Sequence, residues 1–394
     1  MSVQEPDLPL TLPRPSRAAV IWAASACSVM SGAAIAPAIP GIEAALSGAT
    51  DNAAFWARTA LILPPLVIMF FGAMIGRMTG QVDQRRGFVM ALCALALLGG
   101  LGGLATGPFT LLLSRIALGI ATAAVLCFAT AAIAGHFAGP ERATVIGKQS
   151  AANTFGGVIF VLMGGLLAQI SWQAPFMLYL LALPVAVMVA GYDWGTPQNT
   201  HRESPALRPL LPNLVTLWIA MTAFYLLPVQ VPFVPLIIET PALAGLVIGC
   251  ATLTSGIVSL LMRRMAPEQE PLIRKLALAL IALGLIECSL AQNLMAYLLA
   301  AALIGAGFGA LLPLVVRQLM SQSTPATAHA ISGLIAASLY AGQVSAAIFA
   351  PLAGLVDRRL PFAALAVVAG LVAGLYVNRR NLRPWGRWIR DNLA

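Results

Sequence analysis

Residues 109–135 read FTLLLSRIALGIATAAVLCFATAAIAG, a stretch in which Arg115 is the only charged side chain. An α-helix rises about 1.5 Å per residue, so this stretch is long enough to cross the hydrocarbon core of a bilayer, which is about 30 Å thick. Its apolar residues form a continuous run and do not alternate with polar ones, which favours a helix over a strand of a membrane barrel. The stretch therefore predicts a membrane-spanning helix.

The rest of the chain has the same character. Of its 394 residues, 59% are hydrophobic and 9% are charged, and the mean hydropathy is +0.88. Soluble domains carry about 25% charged residues, so this much apolar surface must face lipid. We therefore predict an all-α integral membrane protein with twelve transmembrane helices. They are expected near residues 18–46, 54–76, 87–105, 109–135, 143–168, 174–192, 213–238, 243–265, 272–291, 293–320, 328–356 and 361–378.

The two halves of the chain resemble each other. Prolines interrupt the first predicted helix at Pro37 and Pro40 and the seventh at Pro228 and Pro232. Two six-helix bundles related by pseudo-symmetry are the organisation of a transporter built from repeats. The predicted units are an N-terminal bundle (1–192), a cytoplasmic linker (193–212), a C-terminal bundle (213–378) and a basic cytoplasmic tail (379–394).

The basic residues indicate the orientation of the helices. The net charge is +9, and 19 of the 23 lysines and arginines fall on one side of the membrane if both termini are cytoplasmic. This follows the positive-inside rule and argues against a nucleic-acid partner. The tail mixes arginine with tryptophan, which suits either contact with membrane lipid or a solvated segment that sets the topology.

No pattern typical of an enzyme is present. The sequence has no Walker A motif, and the three histidines lie in predicted loops or at helix ends. The five cysteines lie inside apolar runs without metal-ligand spacing, so we interpret them as small buried hydrophobic residues. We expect neither a metal nor a cofactor.

Polar side chains in four helices predict a substrate cavity. Each one alone could simply bond a neighbouring helix, whereas together they indicate a shared polar site. Arg115 would either contact substrate or bond carbonyls that Pro37 and Pro40 leave free, and both roles could hold. The candidate substrate-binding residues are Arg115, Gln149, Asn153, Tyr225, Gln230, Tyr340 and Gln343.

Residues 76–86 read GRMTGQVDQRR and resemble the loop between the second and third helices of the major facilitator superfamily. Gly76, Arg85 and Arg86 match the family's pattern, while glycine and glutamine replace its usual acidic–basic pair. Asp83 is the carboxylate that remains in the loop. The resemblance implies a charge clasp that holds the outward-facing state, and the departures indicate a weakened gate or an ordinary basic loop.

Two further motifs carry the same resemblance. Arg115 followed four residues later by Gly119 is similar to the family's motif in the fourth helix. Gly164 and Gly165 match the second part of the antiporter signature in the fifth helix, whose Gly-Pro pair is absent. The resemblance implies that these glycines take part in gating, together with the loop residues.

The resemblance to the family implies a secondary active transporter that works by alternating access in the bacterial inner membrane, as a monomer. We expect efflux of a small organic solute, neutral or anionic, coupled to proton influx. Uptake of a nutrient, metabolite or siderophore by a symporter or uniporter is the alternative within transport. A membrane receptor or a membrane-embedded enzyme is the alternative outside it. Glu43 and Glu287 are the candidate proton carriers.

Overall fold

The computed structural model describes residues 15–79, 81–137, 139–194, 206–262, 269–322, 327–354 and 360–370. The predicted tail (379–394) and much of the predicted linker lie outside the described residues. Within them the chain is helical and contains no strand. The helices are α1 (Arg17–Leu46), α2 (Ala53–Thr79), α3 (Gln84–Leu101), α4 (Pro108–His136), α5 (Gly139–Ala168), α6 (Ala174–Ala190), α7 (Leu207–Gln230), α8 (Pro241–Leu261), α9 (Glu270–Leu290), α10 (Leu294–Met320), α11 (Ala328–Gly354) and α12 (Leu360–Gly370).

Each predicted helix corresponds to one of these twelve. Nine helices of the described ranges are long and apolar enough to cross a membrane. The largest differences in bounds are at α7, which begins at Leu207 and not at 213 and ends at Gln230 and not at 238. Pro209 lies in the first turn of α7, where a missing backbone N–H costs no hydrogen bond, so the helix can start this early.

Side chains at several helix starts satisfy free backbone N–H groups. The Ser16 hydroxyl accepts a hydrogen bond from Ala19 N at the start of α1 (3.2 Å). The Asp83 carboxylate accepts one from Arg86 N at the start of α3 (2.8 Å). Such caps stabilise a helix by about 1 kcal/mol each. These two hydrogen bonds therefore stabilise the first turns of α1 and α3.

The helices form two groups. Helices α1 to α6 pack mainly on one another, as do α7 to α11, and the groups meet along α5–α8 and α2–α11. Small residues allow close approach within each group. A Cβ atom on Gly119 would lie 2.8 Å from Val67 Cβ, and one on Gly305 would lie 2.2 Å from the Ala251 carbonyl oxygen.

Both groups begin with an interrupted helix. The α-helical part of α1 ends at Ala33, and a 3-10 turn at Ala36–Ala38 precedes its last segment. A similar turn at Val231–Phe233 follows α7. We call the side of the protein on which α1 begins the terminal face, and the side that carries these interruptions and the start of α8 the distal face.

Candidate functional site

The polar face of α5 lies where the two groups of helices meet. Gln149 Nε2 donates a hydrogen bond to Ser25 Oγ of α1 (2.5 Å). One turn further, Asn153 Oδ1 is buried and accepts no hydrogen bond from the described residues. The next residue on this face is Gly157, where a Cβ would lie 3.5 Å from Thr252 of α8. The predicted pair Gln149 and Asn153 therefore faces both α1 and α8.

Tyr225 of α7 reaches across to α1. Its side chain is 9% exposed, and its hydroxyl has no hydrogen-bond partner among the described residues. A Cβ on Gly32 would lie 2.7 Å from the hydroxyl oxygen, so only glycine leaves room for it. Tyr340 of α11 packs against the small cluster of Ile68, Ile75 and Ala123 on α2 and α4, across the interface between the groups.

These contacts bring four of the predicted site residues to the interface between the groups: Gln149, Asn153, Tyr225 and Tyr340. The other two neutral candidates occupy nearby positions in the same helices. Gln343 lies one turn from Tyr340 on α11, and Gln230 ends α7 directly before the 3-10 turn. All six of these candidate residues carry an amide or a hydroxyl group.

Arg115 lies apart from these residues, inside the first group of helices. Its side chain is 0% exposed. Nη1 donates to Tyr179 Oη and Nη2 to the Gly99 carbonyl, both at 3.1 Å. The guanidinium carbon is 4.8 Å from the centroid of the Phe176 ring. Arg115 therefore donates to a backbone carbonyl, as its predicted structural role requires. The carbonyl belongs to Gly99 of α3, however, and not to the segment of α1 around Pro37 and Pro40.

Tyr179 connects Arg115 to α1. Its hydroxyl donates to the Met30 carbonyl (3.0 Å), within the last turn before α1 is interrupted. The arginine thus supports α1 through the tyrosine, close to Gly32 and the Tyr225 hydroxyl. The sequence offers no sign of this, because Tyr179 is an aromatic residue in an apolar run. Ser25, the partner of Gln149, was missed for a similar reason, since a serine within a helix has many alternative partners.

Apart from Gly119, which packs against Val67 inside the first group, the residues predicted to gate the protein fall into two sets. At the terminal face, a Cβ on Gly76 would lie 3.4 Å from Cys127 Sγ, and Asp83 caps α3. Arg85 and Arg86 are exposed, and Asp83 forms no ion pair within the described ranges. The loop carboxylate therefore holds the start of a helix in this conformation.

The glycine pair of α5 lies near the distal face. A Cβ on Gly164 would lie 2.1 Å from the Ala34 carbonyl oxygen of α1, within the first group. A Cβ on Gly165 would lie 2.8 Å from the Pro241 carbonyl oxygen and 3.2 Å from Gly245 Cα, both in α8. Adjacent glycines thus serve two different contacts, one within a group and one between the groups.

A cation–π contact also joins the groups near the distal face. The Arg58 guanidinium carbon of α2 lies 4.4 Å from the centroid of the Phe233 ring, in the turn that follows α7. Neither residue is among the candidate site residues, because a contact between distant segments leaves no local pattern in the sequence.

The two groups differ at the terminal face. In the second group, Arg317 Nη2 lies 2.6 Å from Glu270 Oε1, and Gln318 Nε2 donates to Glu270 Oε2 (2.8 Å). Arg274 donates to Gln318 Oε1 and, over 3.0 Å, to Asn213 Oδ1. This ionic network ties the ends of α7, α9 and α10 together.

In the first group, aromatic rings pack together at the terminal face. The Trp194 side chain, just beyond α6, is 1% exposed and contacts the rings of Phe88 and His136 edge-on. Phe88 also stacks on Phe128 with 6.0 Å between centroids. An aromatic cluster thus joins α3, α4 and the segment after α6 at this end of the first group.

The two candidate proton carriers lie in different groups. Glu43 is half-buried in the last segment of α1, and its Oε2 is buried without a hydrogen-bond donor among the described residues. Glu287 is half-buried near the distal end of α9. In the described part of the chain, no three His, Cys, Asp or Glu side chains are placed to hold a metal ion.

Comparison with known proteins gives the family. The profile of the family described as Major Facilitator Superfamily matches residues 21–347. The uncharacterized MFS-type transporter EfpA of Mycobacterium tuberculosis is 25% identical over 42% of this chain and 30% of that protein. The cephamycin export protein CmcT of Amycolatopsis lactamdurans is 28% identical over 40% of this chain and 32% of that protein. The matched part spans about a third of the length of these curated relatives.

Solved structures share the fold. A bacterial homologue of the human lysosomal transporter Spinster, in an inward-facing and occupied conformation, superposes with a TM-score of 0.70. The two chains are 16% identical, and the match covers 92% of this chain and 96% of that one. The human organic anion transporter MFSD10 gives a TM-score of 0.67 at 15% identity, covering 93% of this chain and 100% of that one.

Proposed function

The chain belongs to the Major Facilitator Superfamily, and from this premise we propose that it carries a small organic solute across the bacterial inner membrane by alternating access. Its two groups of helices rock around a central site lined by Gln149, Asn153, Tyr225 and Tyr340. The observation that carries the proposal is the Tyr225 hydroxyl, which is buried at the interface between the groups and has no hydrogen-bond partner among the residues that the structure describes. A polar group in that position costs free energy until a ligand or water satisfies it.

We further propose that the substrate is neutral or anionic. The four residues of the central site are amides and phenols, which bind through hydrogen bonds and offer no carboxylate to a cation. A cation held near the middle of the bilayer would need such a partner. Sugars, polyols and organic acids fit this chemistry better than lipophilic cations do.

Export is the direction that we propose. One relative is named as a cephamycin export protein, and the other is an uncharacterized transporter. The runner-up is uptake of a nutrient or metabolite through the same site. Both directions use the same two groups of helices, so transport assays with inverted and right-side-out vesicles decide between them.

Proton coupling is proposed to run through Glu43. Glu43 lies in the last segment of α1, beyond the interruption of that helix, and its Oε2 is buried without a hydrogen-bond donor among the described residues. Alternating access would change the exposure of this carboxylate to water. Glu287 is the second candidate, and it lies on α9, away from the central site.

The proposed orientation places both termini in the cytoplasm, because 19 of 23 basic residues then face it. The terminal face is accordingly cytoplasmic and the distal face periplasmic. We propose that the protein works as a monomer, with one central site.

The function is tested with purified protein in two steps. A thermal-shift screen of metabolites identifies stabilising ligands, and each ligand is then followed by counterflow in proteoliposomes. Tyr225→Phe and Asn153→Ala should weaken stabilisation and flux, whereas Tyr192→Phe at the terminal face should preserve both. A ligand that stabilises all variants equally, without flux, would assign the chain to a non-transporting class.

A further inference from the structure

A cavity of about 390 Å³ opens at the terminal face, away from the central site. It lies between the start of α1 and the segment that joins α4 to α5. Its lining includes Arg17, Trp22, His136, Glu141 and Lys148. Four of these five side chains are ionisable or can be protonated, which is unusual in a chain with 9% charged residues.

The cavity carries an excess of positive charge. Arg17 and Lys148 are exposed cations, and neither forms an ion pair within the part of the chain that the structure describes. Glu141 supplies one carboxylate. The Lys148 ammonium lies 5.4 Å from the centroid of the Trp22 ring, and Trp22 Nε1 is fixed by a hydrogen bond to the Val145 carbonyl (3.0 Å). A rigid aromatic wall therefore holds one cation at the mouth of the cavity.

An apolar stripe leads away from the cavity along α5. Successive steps of seven, four and seven residues from Lys148 lead to Phe155, Ile159 and Leu166, which therefore share one face of the helix. These three side chains are 49%, 57% and 53% exposed. From Lys148 to Leu166 the helix rises about 27 Å, close to the thickness of the hydrocarbon core. The apolar face of α5 that begins at the cavity is thus long enough to span the hydrocarbon core.

We propose that this cavity binds the headgroup of an anionic phospholipid of the phosphatidylglycerol type. The phosphate contacts Arg17 and Lys148, Glu141 accepts a hydrogen bond from a glycerol hydroxyl, and an acyl chain lies along Phe155 and Ile159. The continuous apolar stripe favours a lipid over free phosphate, which would use only the basic end. The site is separate from the central cavity, so it does not depend on which solute is carried.

The test is lipid binding to the purified full chain by native mass spectrometry. Dioctanoyl phosphatidylglycerol, dioctanoyl phosphatidylethanolamine and inorganic phosphate are titrated separately. We expect phosphatidylglycerol to bind at least tenfold more tightly than phosphatidylethanolamine. Replacing both cations (Arg17→Gln with Lys148→Gln) should weaken the binding of phosphatidylglycerol about 30-fold. This factor corresponds to about 1 kcal/mol for each cation at a membrane surface.

Two further variants control for charge and folding. Arg77→Gln with Arg208→Gln removes two exposed cations elsewhere on the terminal face and should change binding less than twofold. Arg17→Lys with Lys148→Arg keeps both charges and should retain binding. The proposal is wrong if the two neutralising pairs weaken binding equally, or if phosphatidylethanolamine binds as well as phosphatidylglycerol. Competition by millimolar inorganic phosphate would instead assign the cavity to a free anion and would equally exclude the lipid.

Discussion

Gly165→Ala should open the distal face, because the new methyl group has no space when that face is closed. Its Cβ would meet three backbone atoms of α8, at 2.8 Å from Pro241 O, 3.1 Å from Ala242 Cα and 3.2 Å from Gly245 Cα. Backbone atoms cannot rotate away, so α5 and α8 must separate. Overpacking of this kind costs about 1–3 kcal/mol. The gain in helix propensity from glycine to alanine, about 0.5–1 kcal/mol, stabilises open and closed states alike.

This steric clash destabilises only the conformations in which α5 and α8 are in contact near the distal face. The equilibrium should therefore shift toward distal-open states by about 5- to 150-fold. Spin labels at Ser47→Cys and Glu239→Cys, both exposed near the distal face, report the change as a longer distance in pulsed electron paramagnetic resonance. The native cysteines are replaced by alanine in this background.

Gly164→Ala is the matched control, one residue away. Its Cβ would lie 2.1 Å from the Ala34 carbonyl oxygen, inside the first group of helices. This contact persists when the groups rock, so the substitution should lower thermal stability and leave the label distances unchanged. The reasoning fails if Gly164→Ala lengthens the distances as much as Gly165→Ala, or if neither variant changes them.

Three further predictions concern single side chains. Tyr225→Phe should raise the free energy of unfolding in detergent by up to about 1 kcal/mol, since the lost hydroxyl has no hydrogen-bond partner among the described residues; a free energy of unfolding below that of the unsubstituted protein would show that the hydroxyl is hydrogen-bonded. Asp83→Ala should lower the free energy of unfolding by about 1 kcal/mol, because the cap of α3 is removed. An unchanged free energy of unfolding would show that the cap does not stabilise the protein. Glu43→Gln should abolish proton-driven transport in vesicles but preserve downhill exchange, and an unchanged pH dependence would exclude Glu43 as the carrier.

The helices could be predicted because lipid imposes a length and a composition on each one. Runs such as 109–135 and 293–320 have few alternatives, and the structure confirms helices there as Pro108–His136 and Leu294–Met320. The predicted start of α7 was wrong, because a proline in the first turn of a helix is easily taken for the end of a loop. Local patterns therefore describe the helices well and their ends less well.

The site was predictable only in part. Amides and tyrosines in apolar helices are conspicuous because a polar side chain is costly in lipid, and four of them lie where the two groups of helices contact each other. Which partner each takes depends on packing between distant segments. The bond from Arg115 to Tyr179, the contact of Gly165 with Gly245 and the position of Phe233 over Arg58 all join residues far apart in the chain.

The contrast at the terminal face gives the two halves different responses to their surroundings. Glu270, Arg317 and Arg274 hold the second half through charges, and the Arg317 side chain is 45% exposed. Mobile ions screen such contacts over about 8 Å at physiological ionic strength. The rings around Trp194 are insensitive to this screening, because their contact rests on packing and exclusion of water. Raising the salt concentration should therefore weaken the ionic contacts of the second half more than the ring contacts around Trp194 in the first half.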